Sequence, residues 1–218
     1  MEKICIISAN LGGLKPMRGN ANQQQSLEHD RFVFTDANFP PRLNAMTTRL
    51  QSKIPKFFGW QMAPGYDYYL WMDYSFVLSH VDSLKWFREQ CEGYDIVALK
   101  HPRRRTIAEE ESYVRRMMRA GSGYLLRRYE NELLKDQMLE IKLDKGYVDD
   151  ALLINGVFMY KNIKRVRDAL KECWYHASRY TTLDQLAFIY VLRKHGLKIN
   201  MLPDAFNDCK YLKHGRLR

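Results

Sequence analysis

No stretch of about 18 apolar residues occurs anywhere in the chain, and that length is what a membrane-spanning helix needs. The four cysteines, Cys5, Cys91, Cys173 and Cys209, stand far apart and never in CxxC spacing. That argues against a zinc site and a disulfide framework, and leaves reduced, mostly buried thiols. The GxGxxG pattern of a dinucleotide site is absent, so the lone Gly12-Gly13 pair is weak as a nucleotide signal. No zinc finger, helix-turn-helix or aromatic RNP motif, no internal repeat and no low-complexity linker is found. The apolar core of MEKICIISANLGG is too short for a signal peptide and reads as a first strand, so the expected location is cytoplasmic.

Acids are also in deficit. Lys and Arg number 35 against 25 Asp and Glu, a formal charge of +10. The excess implies an anionic partner without choosing between nucleic acid, a nucleotide-activated substrate and a lipid head group. Much of it falls at Lys100, Arg103, Arg104, Arg105, Arg115, Arg116, Arg119, Arg127 and Arg128, opposed by Glu109, Glu110 and Glu111. A solvated helix face laced with intrahelical ion pairs explains such a cluster equally well.

What is present is an alternation of strands and helices. With 218 residues, 46% of them hydrophobic, the chain suits one domain, residues 1–218, with a sizeable core. Apolar runs at Lys3–Ala9, Arg31–Thr35, Tyr66–Leu78, Asp95–Leu99, Leu152–Tyr160 and Lys198–Leu202 read as strands. Asn20–Ser26 reads as an exposed loop. Helical spacing of Leu43, Met46, Leu50 and Ile54 predicts a helix over Arg42–Ile54, started by Pro40-Pro41 and ended by Pro55. Ser83 is expected to cap a short helix, and a long helical segment to run from Ile107 to Lys142 with a break near Gly121–Gly123. Asn162 is expected to cap a helix reaching Ser178, and Thr182 and Gln185 to form a capping box opening a helix to Lys194 that Gly196 ends. The fold class that follows is α/β, a mostly parallel central sheet flanked by helices.

The strand within Tyr66–Leu78 (YDYYLWMDYSFVL) is apolar on both faces, as a central strand must be, and carries Asp73 to its carboxyl end. In open α/β sheets ligands gather outside those ends. Asp73, Ser75 and the late His214 are the right residue types for Mn²⁺ or Mg²⁺, ions that take oxygen ligands and, for Mn²⁺, imidazole. Asp36 ends the second strand in the same way, with a turn-forming role as the alternative. A glycine inside a strand, as in Asn155-Gly156, signals a bulge or a close approach.

The order of YLWMDYS, ALKHP with an acid-rich helix after it, NGVFMYKN and TLDQLAFIYVLRKHG resembles the glycosyltransferases of the GT-A fold. The likeness is strongest to the group found in bacteria, plants and algal viruses whose plant members are linked to pectin and mucilage synthesis. It implies a metal-assisted transferase using a nucleotide sugar, a UDP-sugar by expectation, and a carbohydrate or glycolipid acceptor. Asp73-Tyr74-Ser75 stands where the family has its DxD metal motif, with Ser75 replacing the second acid, so that His214 is expected to compensate as a metal ligand. The resemblance puts Asn10, Gly12, Asp36, Arg49, Lys53 and Asp73 on the nucleotide, with Asp36 at the uridine and Arg49 and Lys53 at the diphosphate. Asn155 and Gly156 fall beside the donor sugar, and Lys100, His101, Glu109 and Glu110 on the acceptor side. Asp184 and Gln185 become the catalytic pair: a general base in inverting members, a stabiliser of an oxocarbenium-like state in retaining ones. The DQ pair points to retention. Nucleic acid is not expected as a partner, although a nucleic-acid-binding protein or metal-dependent nuclease using the Arg103–Arg128 patch is the competing reading. A catalytically dead sugar-binding domain is a third, prompted by the missing second acid.

Overall fold

The computed structural model of the chain describes residues 2–13, 24–203 and 209–214. Its sheet is built from β1 (Ile4–Asn10), β2 (Asp30–Thr35), β3 (Tyr68–Met72), β5 (Ile96–Lys100), β6 (Leu153–Lys161) and β7 (Ile199–Leu202), while β4 (Phe76–Leu78) and β8 (Leu212–His214) form a separate two-stranded ribbon. The helices are α1 (Thr48–Met62), α2 (Ser83–Gln90), α3 (Ile107–Arg119), α4 (Gly123–Tyr129), α5 (Leu134–Leu143), α6 (Lys164–Arg179) and α7 (Gln185–Lys194). In the large sheet the order is β2-β1-β3-β6-β5-β7; every neighbouring pair is parallel except the two that involve β6.

Strand alternation divides the core in two. Cys5, Ile7, Tyr69, Trp71, Ile96, Ala98, Phe158 and Tyr160 face the layer made by α1, α3, α5, α6 and α7. Ile4, Ile6, Leu70, Met72, Val97, Leu99, Val157 and Met159 face Leu84 and Phe87 of α2 and the β4/β8 ribbon. β3 is buried at every position, as its unbroken apolar composition requires of a strand covered on both sides. All four cysteines are buried and unpaired, and among the described residues no helix is long and apolar enough to cross a membrane.

Several local expectations are corrected. Pro40-Pro41 does not start a helix; Thr47 caps α1 by accepting from the Leu50 N–H at 3.2 Å, and Pro55 lies inside the helix, whose irregular residue is Phe58. An interior proline loses one hydrogen bond, yet burial of Phe57 and the close seat of Gly59 on Ile7 hold the segment helical through it. The segment after Ile107 breaks twice, at Gly121 and again at Asn131, both with positive φ (79° and 65°). Asp82 and Ile163, not Ser83 and Asn162, occupy the cap positions of α2 and α6. The Thr182 capping box does not form: Thr182 Oγ1 donates to Glu132 at 2.7 Å, and Asp184 is the residue preceding α7. Most of Asn20–Ser26, together with the tail beyond His214, lies outside the described residues.

Candidate active site

Because β6 runs opposite to its neighbours, its amino-terminal residues Asn155 and Gly156 come to the edge where β3 ends. There the Asp73 N–H donates to the Gly156 carbonyl at 2.7 Å. Pairing with β5 shifts register between Ala98 and Leu99, opposite this segment, so the glycine marks both a bulge and a close approach. A Cβ on Gly156 would lie 2.5 Å from Phe76 Cε2 and 3.3 Å from Asp73 Oδ2. Gly156→Ala is therefore expected to destabilise the fold by about 1–3 kcal/mol through overpacking, read as a lower denaturant midpoint.

The same edge receives three further pieces. β8 pairs antiparallel with β4, setting His214 opposite Phe76 with their rings edge to face at 5.1 Å. α6 returns the chain from the end of β6, so that Asp184 and Gln185 arrive at the start of α7. The first turns of α1 present Arg49, Lys53 and Lys56, spaced to share one helical face.

These residues line a cavity of about 530 Å³ whose wall includes Arg49, Lys53, Asp73, Ser75, Arg128, Asn155, Gly156, Asp184, Gln185 and His214. A second cavity of about 370 Å³ adjoins it, running toward Gly12 after β1 and Thr48 at the start of α1. Arg49, Lys53, Asp73, Ser75 and Arg128 border both.

Electrostatics on this wall centre on Asp184. Lys53 Nζ and Lys56 Nζ both reach its Oδ2, at 2.9 and 2.7 Å. Burial alone would raise the pKa of this carboxyl, but the two ammonium groups outweigh it and hold the value at about 2. Burial lowers the Lys53 pKa against the pull of Asp184. Lys56, which sequence reasoning missed, is 2% exposed and lies 5.7 Å from the centre of the Trp71 ring. Its only legible signal was its place three residues after Lys53 on a helix expected to have stopped at Ile54. Gln185 Nε2 donates to the Leu153 carbonyl at 3.2 Å. Asp73 Oδ1 accepts from Trp71 Nε1 at 2.9 Å. Asn155 is buried, and among the described residues neither polar atom of its amide has a hydrogen-bond partner.

Other expected site residues are placed differently. Asp36 is engaged by the loop after β1, its two oxygens accepting from the Gly12 and Gly13 N–H groups at 2.8 Å each. Asn10 ends β1 with its Oδ1 buried and, among the described residues, unpartnered. Lys100 and His101 lie in a separate depression with Arg104, Asp150 and Arg193. His101 Nδ1 accepts from the Arg103 and Arg104 N–H groups, and burial followed by those two charges lowers its pKa to about 4, so it is neutral at physiological pH. Glu110 pairs with Arg104, and Glu109 accepts from the Arg105 N–H at 2.6 Å. The four residues assigned to the acceptor thus shape the turn between β5 and α3, and they do not border the cavity that holds Asp73 and Asp184.

Among the described residues no three His, Cys, Asp or Glu side chains meet as a metal-binding group. Asp73 and His214, with the Ser75 hydroxyl, share the larger cavity. Carboxylate, hydroxyl and imidazole fit an ion such as Mn²⁺ only if water or substrate oxygens complete its coordination.

Among solved structures, the crystal structure of a glycosyltransferase involved in the glycosylation of the major capsid of PBCV-1 shares the fold, with a TM-score of 0.54 and 9% identity over 99% of this chain and 95% of that one. The crystal structure of A197 from STIV is a weaker likeness, with a TM-score of 0.41 and 13% identity over 93% and 82% of the respective chains. No curated protein matches. The sequence pattern of the TOD1/MUCI70, glycosyltransferase-like domain matches residues 42–216. With that match covering all of the central cavity except the end of β1, the chain belongs to the TOD1/MUCI70 glycosyltransferase-like domain family.

Proposed function

We propose that this chain transfers a sugar, with retention, from a nucleoside diphosphate donor, a UDP-sugar by expectation, to a carbohydrate or glycolipid acceptor. The observation that carries the reading is Asn155. A buried amide with neither its donor nor its acceptor satisfied is costly, and this one, unpartnered among the described residues, borders the cavity shared with Asp73 and Asp184. Neighbouring hydroxyls of a sugar offer the matching acceptor and donor. The second cavity, toward Gly12, supplies room for a nucleoside joined through the polar junction between the two.

Asp184 suits charge stabilisation or contact with sugar hydroxyls better than proton removal. A general base works best with a pKa near the operating pH, whereas this carboxylate is held at about 2. That favours the retaining alternative over a base-assisted inversion. Asp73, Ser75 and His214 would hold Mn²⁺ or Mg²⁺, which when bound offsets the charge of a departing diphosphate. The basic cluster leaves the nucleic-acid reading less to use, since Arg104 and Arg115 are spent on Glu110 and Glu111.

A thermal-shift screen of nucleotides and nucleotide sugars, with and without Mn²⁺, tests the reading. A donor at a hundred times its Kd is expected to stabilise the fold by about 2.7 kcal/mol, and Asn155→Ala to abolish the extra shift of the nucleotide sugar over the bare nucleotide. No response to any nucleotide sugar, alongside salt-sensitive binding of single-stranded or duplex nucleic acid, would refute it.

A further inference from the structure

Arg128 comes from the basic cluster that the sequence leaves open between an anion-binding patch and a solvated face, and it borders both cavities beside Arg49. The two arginines are held together without an acid. Arg49 Nη1 donates to the Arg128 carbonyl at 2.8 Å, and the guanidinium carbons lie 5.4 and 5.9 Å from the centre of the Tyr129 ring. Arg128 Nη1 also donates to the Tyr124 hydroxyl. Among the described residues neither guanidinium forms an ion pair with a carboxylate, whereas the neighbouring Lys53 and Lys56 are both committed to Asp184. Glu132 acts on Arg49 only from a distance, and its carboxylate is taken up by Thr181 and Thr182.

Like charges are normally kept apart or neutralised. Here burial, and after it the charge of Arg128, lowers the Arg49 pKa, so the pair is costly in the free protein. Planar guanidinium forks match phosphate oxygens in geometry and charge. They stand at the junction of the two cavities, where the diphosphate of a donor with its nucleoside in one and its sugar in the other would lie. We propose that Arg49 and Arg128 together form the clamp for that diphosphate, with Arg128 the residue that α4 contributes to donor binding. The inference rests on the donor reading given above. It reassigns the second diphosphate contact from Lys53, which the Asp184 ion pair holds, to Arg128.

Isothermal titration of UDP, uridine and inorganic pyrophosphate against wild type, Arg49→Met, Arg128→Met, Arg128→Lys and the exposed neighbour variant Arg127→Met tests the assignment. Losing one charge-assisted contact is expected to weaken UDP and pyrophosphate about tenfold or more. Uridine affinity should be unchanged, Arg128→Lys intermediate and Arg127→Met like wild type. The melting temperature of each variant checks its fold, and Arg128→Lys carries the test if Arg128→Met does not fold. Wild-type affinity for UDP and pyrophosphate in Arg128→Met overturns the clamp and leaves the donor reading standing; an equal loss in Arg127→Met also overturns it, because a diffuse field would then suffice. Pyrophosphate binding that depends on Arg128, with no affinity for UDP or any other nucleoside diphosphate, keeps the clamp and removes the donor reading. Wild type that binds neither removes the clamp.

Discussion

Asp184→Asn is expected to lower stability by about 2–4 kcal/mol and to remove most transfer activity. Asparagine keeps the shape but leaves the Lys53 and Lys56 ammonium groups, both at Oδ2 in the wild type, without a counter-charge in a buried place. Breaking such a pair from one side is far more damaging than replacing the whole group by apolar residues, because the remaining charge stays desolvated. For a chain of this size the drop amounts to a melting temperature lower by about 5–15 °C. The wild-type acid limb gives an independent check. The folded-state pKa of Asp184 is depressed to about 2 from an ordinary value near ~3.9. Its contribution, roughly 2.6 kcal/mol by linkage, is therefore fully present above about pH 5 and is lost as the pH falls through about 2. Denaturation midpoints between those limits should fall in the wild type and lack this component in Asp184→Asn. Equal acid limbs in the two proteins would mean that the lysines do not hold the carboxylate as described.

Asp73→Asn is expected to cut turnover of a nucleotide sugar by at least about a hundredfold, the scale of losing a preorganised electrostatic contact at a reacting centre, while changing the melting temperature little. Asparagine still offers an oxygen to Trp71 Nε1, and the backbone bond from residue 73 to the Gly156 carbonyl does not involve the side chain. Loss of turnover without loss of fold would separate the chemistry of the carboxylate from its place in the sheet edge. Release of sugar or UDP, followed by chromatography with and without Mn²⁺, measures it. Unchanged turnover would remove Asp73 from the site.

The contrast between these two acids shows where sequence reasoning was strong and where it stopped. Asp73 was legible because an apolar strand ending in an acid is a local pattern, and β3 is buried throughout as that pattern requires. His214 was named for its chemistry and for the late His of the resembling family; what brings it to Asp73's cavity is the pairing of β8 with β4, a contact between segments far apart in the chain. Asp184 was found through the DQ pair, but its partners were not: Lys53 was assigned to the diphosphate instead, and the expected end of the helix at Pro55 hid Lys56. Glu109, Glu110, Lys100 and His101 were grouped by charge and order, which cannot show that Arg104, in the turn before α3, pairs with Glu110, or that Lys100 and His101 border a depression apart from the central cavity. Arg128 was left undecided within its cluster: nothing in a run of arginines distinguishes those in solvent from one that borders a cavity between two helix breaks.

By itself the sequence determined the alternation of strands and helices, the burial of the central strand, the acid at its end and the absence of a spanning helix, because each depends on composition and periodicity within a few residues. Only the tertiary structure decided that β6 runs against its neighbours and so brings Asn155 and Gly156 to the same edge as Asp73, that Lys53 and Lys56 neutralise Asp184, and that Arg49 and Arg128 stand together. Those are relations between elements, set by which strand pairs with which and which helix face meets the sheet edge, and the energies that fix them are contacts that local sequence does not contain.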